Sequence, residues 1–117
     1  MRWQIFAVHF DPVNLINSPE KYFNNAAIIK EAFKKLGPHI KSCHGKDTIL
    51  EPKLTTHLSE TDPGKGNLDY AVYLKEISKL RDVPLMLEHM KEPDQYKSAL
   101  KYVQKVAINN GLNLLKI

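Results

Sequence analysis

The sequence predicts an α/β fold of three consecutive strand–helix units with parallel strands. Three short apolar runs, at residues 4–10, 39–44 and 84–88, have the length of buried strands. Each run is followed, directly or after a loop, by a stretch in which apolar residues recur every three or four positions, as on one face of a helix. Because strands that alternate with amphipathic helices are usually joined by right-handed crossovers, we expect the strands to pair in parallel.

The first unit is a strand over residues 4–10 followed by one continuous helix over residues 19–36. The strand ends before Pro12, because proline has no N–H to donate to a neighbouring strand. Ser18 is a suitable N-cap for the helix, and a Gly-Pro pair ends it. The apolar face of this helix consists of Tyr22, Ala26, Ile29, Phe33 and Leu36.

The second unit starts with the strand over residues 39–44, which leads into a loop over residues 45–67. A loop of this length in a small domain usually has a function or is mobile. Gly64 and Gly66 in this loop favour a tight turn over a phosphate-binding loop.

The helix after this loop begins at Asn67 or Asp69, since either residue can cap it. Its apolar face consists of Tyr70, Tyr73, Leu74, Ile77 and Leu80. The third unit is the strand over residues 84–88 and a helix that begins at Pro93, a residue suited to a first helical turn. The apolar face of this last helix consists of Tyr96, Leu100, Val103 and Ala107.

The composition is that of one globular domain, residues 1–117, with 43% hydrophobic and 26% charged residues. The net charge is +4, but the lysines are scattered over predicted helix faces, so we expect no nucleic-acid partner. No apolar run approaches the roughly 20 residues of a membrane helix, so we expect no membrane partner. Cys43 is the only cysteine, which predicts a core residue in a cytoplasmic protein without an internal disulfide.

Chemically active side chains lie at the ends of the three predicted strands. Asp11 follows the first strand, His44 ends the second and Glu88 ends the third. Ligands of parallel α/β folds bind at the carboxyl ends of the strands, so these three side chains are expected to face one site. Carboxylate oxygen and imidazole nitrogen together suit a divalent metal ion such as Mn, Mg, Co or Zn. A bound cation can polarise a carbonyl, and a neighbouring carboxylate can move a proton.

Each of these residues also has a purely structural interpretation. Asp11 before a proline can start a turn, and His44 before a glycine can be a hydrogen-bonded residue at a strand end. Glu88 is harder to explain in this way, because a buried carboxylate is costly unless it is paired or bound to a metal. The remaining histidines are expected to be structural or exposed: His9, His39, His57 and His89.

Four segments of the chain resemble one protein family. The segments at residues 10–14, 41–47, 63–70 and 84–89 are similar to those of the sugar phosphate isomerase/epimerase family. This family belongs to the xylose-isomerase-like TIM barrels, which also include the AP endonucleases. The resemblance covers nearly the whole chain and implies an eight-stranded (β/α)8 barrel. It places the chain at the carboxyl-terminal end of that barrel, as three of its βα units.

The resemblance also implies roles for individual residues. Asp11, His44 and Glu88 match metal-binding positions, and Glu88 also matches one of two glutamates that exchange a proton in the epimerases. Asn14, Lys46 and His57 are expected to bind the substrate, a sugar or sugar phosphate. The second catalytic glutamate normally comes from an earlier strand of the barrel.

Two departures from the family leave other functions open. A barrel of this type needs about 250 residues, so we expect the chain to be inactive alone and to need an oligomer or a complementing chain. The alternatives are a non-catalytic remnant or interaction piece and a phosphodiesterase for abasic DNA. Asn14 and Thr55 stand where the AP endonucleases have metal-binding residues, which weighs against the nuclease.

Overall fold

The computed structural model describes residues 7–87 and 90–113 of the chain. The strands in this part are β1 (Val8–Phe10), β2 (Ile40–Gly45), β3 (Asp47–Leu50), β4 (Leu58–Thr61) and β5 (Leu85–Leu87). The helices are α1 (Pro19–Phe23), α2 (Asn25–Leu36), α3 (Tyr70–Ser78) and α4 (Pro93–Asn109). Short 3-10 helices at Pro12–Leu15 and Gly37–His39 lie after β1 and before β2.

The main sheet has three parallel strands in the order β1-β2-β5. Phe10 pairs with Cys43, and Cys43 pairs with Leu85, so these side chains form one row across the sheet. All three are buried, and the ring of Phe10 lies 4.9 Å from that of Phe33 on α2 and 6.0 Å from that of Tyr73 on α3. The parallel α/β arrangement expected from the sequence is therefore confirmed.

The helices cover one face of this sheet and complete the core. The buried cluster joins the strands to α2, α3 and α4, and includes Ile29, Phe33, Tyr70, Tyr73, Leu74, Val103 and Ala107. The buried face of α4 differs slightly from the prediction, because Ala99 is buried whereas Tyr96 is partly exposed. Cys43 is fully buried, as expected for a core residue. Within the described residues, no helix is long and apolar enough to cross a membrane.

The opposite face of the sheet is more polar. Side chains alternate along a strand, so His9, Ser42, His44 and Met86 lie on the side away from Phe10 and Cys43. The Nδ1 atom of His9 is hydrogen-bonded to the hydroxyl of Ser42. Met86 is 44% exposed on β5, which is an edge strand of the described sheet.

The prediction of a single helix over residues 19–36 is wrong in one respect. The chain leaves the helical conformation at Asn24, so that α1 and α2 are separate helices. The side-chain amide of Asn25 donates to the carbonyls of Tyr22 and Asn67, at 2.9 and 2.8 Å. Asparagine side chains compete in this way with helical hydrogen bonds, and here they connect the break to the loop before α3.

The loop predicted over residues 45–67 contains a hairpin that sequence periodicity did not indicate. Strands β3 and β4 pair antiparallel, with Asp47 opposite Thr61 and Leu50 opposite Leu58. Each strand has only four residues and mixes polar with apolar side chains, so neither produces an apolar run. After the hairpin, Asp69 caps α3 by accepting a hydrogen bond from the backbone N–H of Val72 at 3.0 Å.

Candidate functional site

Asp11 is positioned by the turn that follows β1. Its Oδ1 atom accepts a hydrogen bond from the backbone N–H of Val13 at 3.1 Å and caps the 3-10 helix Pro12–Leu15. Its other oxygen, Oδ2, lies 4.0 Å from Nδ1 of His44 and 2.9 Å from Nζ of Lys46. Asp11 thus starts a turn with one oxygen and presents the other to two cationic or basic side chains.

His44 is held at the end of β2 by a contact from behind the sheet. The buried hydroxyl of Tyr73 on α3 donates to the carbonyl oxygen of His44 at 2.8 Å. Burial raises the pKa of Tyr73 well above its usual value, so the phenol remains a hydrogen-bond donor. On the open face, the imidazole stacks with that of His9, with ring centroids 6.5 Å apart.

Lys46 joins the main sheet to the hairpin. Its Nζ atom contacts Oδ2 of Asp11 at 2.9 Å and Oε1 of Glu60 on β4 at 3.1 Å. Burial lowers the pKa of Lys46, but the hydrogen bonds to Asp11 and Glu60 more than offset it, so the pKa is raised and the ammonium stays charged. The hydroxyl of Tyr70 on α3 donates to the carbonyl oxygen of Lys46 at 2.6 Å and fixes its backbone.

The neighbouring acid, Asp47, is part of the scaffold. Its carboxylate is buried and accepts four backbone hydrogen bonds, from Thr48, Gly64, Gly66 and Leu68, at 2.8 to 3.1 Å. These bonds attach the loop before α3 to the start of the hairpin. Sequence reasoning missed this role, because nothing local distinguishes Asp47 from an exposed loop aspartate.

The other residues expected in the site are placed differently. Asn14 is exposed in the 3-10 helix, three residues after Asp11. His57 is exposed in the loop between β3 and β4, and the described hydrogen bonds of its ring go to Thr55 in the same loop. Glu88 follows β5 in the sequence and lies outside the described residues. The structure therefore brings together Asp11, His44 and Lys46.

The chemistry of Asp11 and His44 fits a divalent metal ion. Zinc–oxygen and zinc–nitrogen bonds are about 2.0 to 2.2 Å long, so two donor atoms 4.0 Å apart can reach one ion after a small adjustment. Among residues 7–87 and 90–113, no group of three His, Cys, Asp or Glu side chains is placed to hold a metal. The described part of the chain thus supplies two donors.

Comparison with known proteins identifies the fold. No family model matches the chain, and no curated protein sequence matches it either. Its structure is similar to the crystal structure of a xylose isomerase domain protein from Planctomyces limnophilus, with a TM-score of 0.63 and 24% sequence identity. The similarity covers 90% of this chain and 37% of that protein, so the chain spans little more than a third of its length. The xylose-isomerase-like fold expected from the sequence is therefore confirmed.

Proposed function

We propose that residues 1–117 form the carboxyl-terminal part of a barrel that isomerises or epimerises a sugar or sugar phosphate with the help of a divalent metal. One observation carries the proposal. Oδ2 of Asp11 and Nδ1 of His44 lie 4.0 Å apart at the carboxyl ends of two adjacent parallel strands. In barrels of this class, that edge of the sheet is where substrates bind.

Three residues would hold the metal: Asp11, His44 and Glu88. When bound there, Mn, Mg, Co or Zn supplies a positive charge that stabilises an enediolate. The carboxylate of Glu88 would take the proton from the carbon beside the carbonyl, and a second glutamate from the rest of the barrel would deliver a proton from the other side. Lys46 can donate hydrogen bonds to substrate hydroxyl or phosphate oxygens, as can the amide of Asn14.

The isolated chain is expected to lack this activity. The described sheet has two unpaired edges, β1 and β5, and a barrel closes only when every strand has two neighbours. The rest of the barrel would come from a complementing chain or from an oligomer. Metal binding is therefore a better first test than turnover, because the proposed ligands all belong to this chain.

The proposal is tested by titrating the 117-residue chain with MnCl2 in a calorimeter. Asp11→Asn, His44→Ala and Glu88→Gln should each weaken Mn²⁺ binding at least about tenfold, since each removes one ligand. Asp94→Asn is the matched control, because Asp94 is an exposed carboxylate in the first turn of α4 and its loss should leave the affinity unchanged. Equal affinity in the wild type and all three ligand variants would refute the metal site.

A further inference from the structure

The oxygen of Asp11 that is proposed to bind the metal already has a cationic neighbour. The ammonium of Lys46 lies 2.9 Å from Oδ2, and the Asp11 side chain is only 5% exposed. A divalent ion bound about 2.1 Å from the same oxygen would lie within roughly 5 Å of that ammonium. Two positive charges repel strongly at this distance in a poorly hydrated site.

Asp11 cannot avoid the conflict by offering its other oxygen. Oδ1 accepts the backbone N–H of Val13 and caps the 3-10 helix Pro12–Leu15. Turning Oδ1 toward the ion would break this buried hydrogen bond, which is costly, and a half-turn of the carboxylate only exchanges its two equivalent oxygens. A metal and Lys46 must therefore compete for Oδ2.

Lys46 has a second carboxylate within reach. Its Nζ atom is 3.1 Å from Oε1 of Glu60, whose side chain is 62% exposed on β4. The backbone of Lys46 is fixed by the hydroxyl of Tyr70, so the displaced ammonium can move only by rotation of its flexible side chain. Movement toward Glu60 keeps the positive charge paired while it leaves the buried Asp11.

We infer that Lys46 is a built-in competitor for the metal. It neutralises Asp11 when no metal is bound, and it shifts to Glu60 when a divalent ion takes Oδ2. Glu60 then determines metal affinity without touching the ion, as an acceptor for the displaced ammonium. This inference rests on the proposed metal site, and it adds two residues, Lys46 and Glu60, that tune the affinity of that site.

Calorimetric titration of the 117-residue chain with MnCl2 tests the competition. Lys46→Met should bind Mn²⁺ at least about tenfold more tightly than the wild type, because the competing charge is gone. Glu60→Gln should bind it about threefold or more weakly, because the displaced ammonium loses its acceptor. Lys35→Met is the matched control: it removes the same charge from an exposed pair with Glu31 at 2.8 Å and should leave the affinity unchanged.

A second readout follows the shift of Lys46 toward the hairpin. Adding Zn²⁺ to the wild type should change the backbone amide resonances of β4, whereas Lys46→Met, checked for native folding by circular dichroism, should show no change there.

A Lys46→Met affinity equal to or weaker than that of the wild type would overturn the inference. The proposed metal site would still stand after that result, provided that Asp11→Asn still weakens Mn²⁺ binding at least about tenfold. Failure of the wild type and of Lys46→Met to bind any metal would refute both proposals.

Discussion

The backbone N–H of Gly66 donates to Oδ2 of Asp47 at 3.1 Å, and the two residues are so close that residue 66 has no room for a side chain. A Cβ atom at this position would lie 2.5 Å from Oδ1 of Asp47 and 2.1 Å from the carbonyl oxygen of Thr48. This contact attaches the loop before α3 to β3. It also fixes the base of the hairpin that carries Glu60 toward Lys46.

Substitution of Gly66 should therefore be costly. We expect Gly66→Ala to lower the free energy of unfolding by about 3 kcal/mol, because backbone atoms must move to admit the methyl group. Gly37→Ala is the matched control, since a Cβ there would meet only a side-chain carbon of Leu80, at 3.8 Å. Urea unfolding of both variants measures the difference, and equal midpoints would contradict the close contact.

The thiol of Cys43 should be unreactive in the folded protein. Burial raises the pKa of Cys43 from 9.0 to about 11, so little thiolate forms near neutral pH. We expect iodoacetamide at pH 8 to leave native Cys43 unmodified and to label it readily in 6 M guanidinium chloride. Labelling at equal rates in the two states would show that the strand is not buried.

The raised pKa of Cys43 also predicts how the free energy of unfolding depends on pH. The unfolded thiol loses its proton first as the pH rises, so the native state is progressively disfavoured between pH 9.0 and about 11. The free energy of unfolding should fall by no more than ~1.4 kcal/mol per pH unit. Cys43→Ala is the comparison, because its stability should fall less steeply over this interval once the thiol is gone. Parallel curves for the two proteins would exclude this contribution.

Tyr73 should support both the fold and the proposed metal site. Tyr73→Phe leaves the carbonyl of His44 without its donor at 2.8 Å, which should destabilise the protein by about 1 kcal/mol. The end of β2 then loses one restraint, so we expect Mn²⁺ affinity to fall a few-fold. Tyr102→Phe serves as a control, because it removes a hydroxyl from a ring that packs beside Tyr70 and leaves the donor to the His44 carbonyl in place. Unchanged stability and affinity in Tyr73→Phe would contradict this role.

Strand β5 is an edge strand of the described sheet, and this open edge should make the isolated chain associate with itself. Met86 is 44% exposed, and with Tyr96 and Leu100 it lines an apolar groove of about 400 Å³ beside this edge strand. Unpaired strand edges are templates for pairing with other chains. Sedimentation velocity should therefore detect oligomers of the wild-type chain. Met86→Lys should reduce the fraction of oligomers. Leu54→Lys, a substitution in the exposed loop between β3 and β4, should leave this fraction unchanged. A monodisperse monomer at high concentration would contradict the expectation.

Local sequence signals predicted much of the scaffold. The apolar runs located the strands of the main sheet, because a run of apolar residues depends only on neighbouring positions. Pro93 marked the start of α4, and Asp69, one of the two caps that the sequence offered, marked that of α3. The break at Asn24 was missed because the residue after it, Asn25, is held by a carbonyl 42 positions away. The hairpin was missed because its short strands have no apolar period.

The candidate site, like the scaffold, could be predicted from the sequence only in part. The sequence by itself determined that Asp11 and His44 end two strands, because a polar residue after an apolar run is visible without any contact. Only the tertiary structure decided that Lys46 bridges Asp11 to Glu60 and that Asp47 accepts four backbone N–H groups. These partners lie 14 or more positions apart along the chain, with the exception of Thr48, which is adjacent to Asp47. Such contacts exist only once the hairpin and the loop fold back onto the sheet, since no local preference of either residue specifies its distant partner.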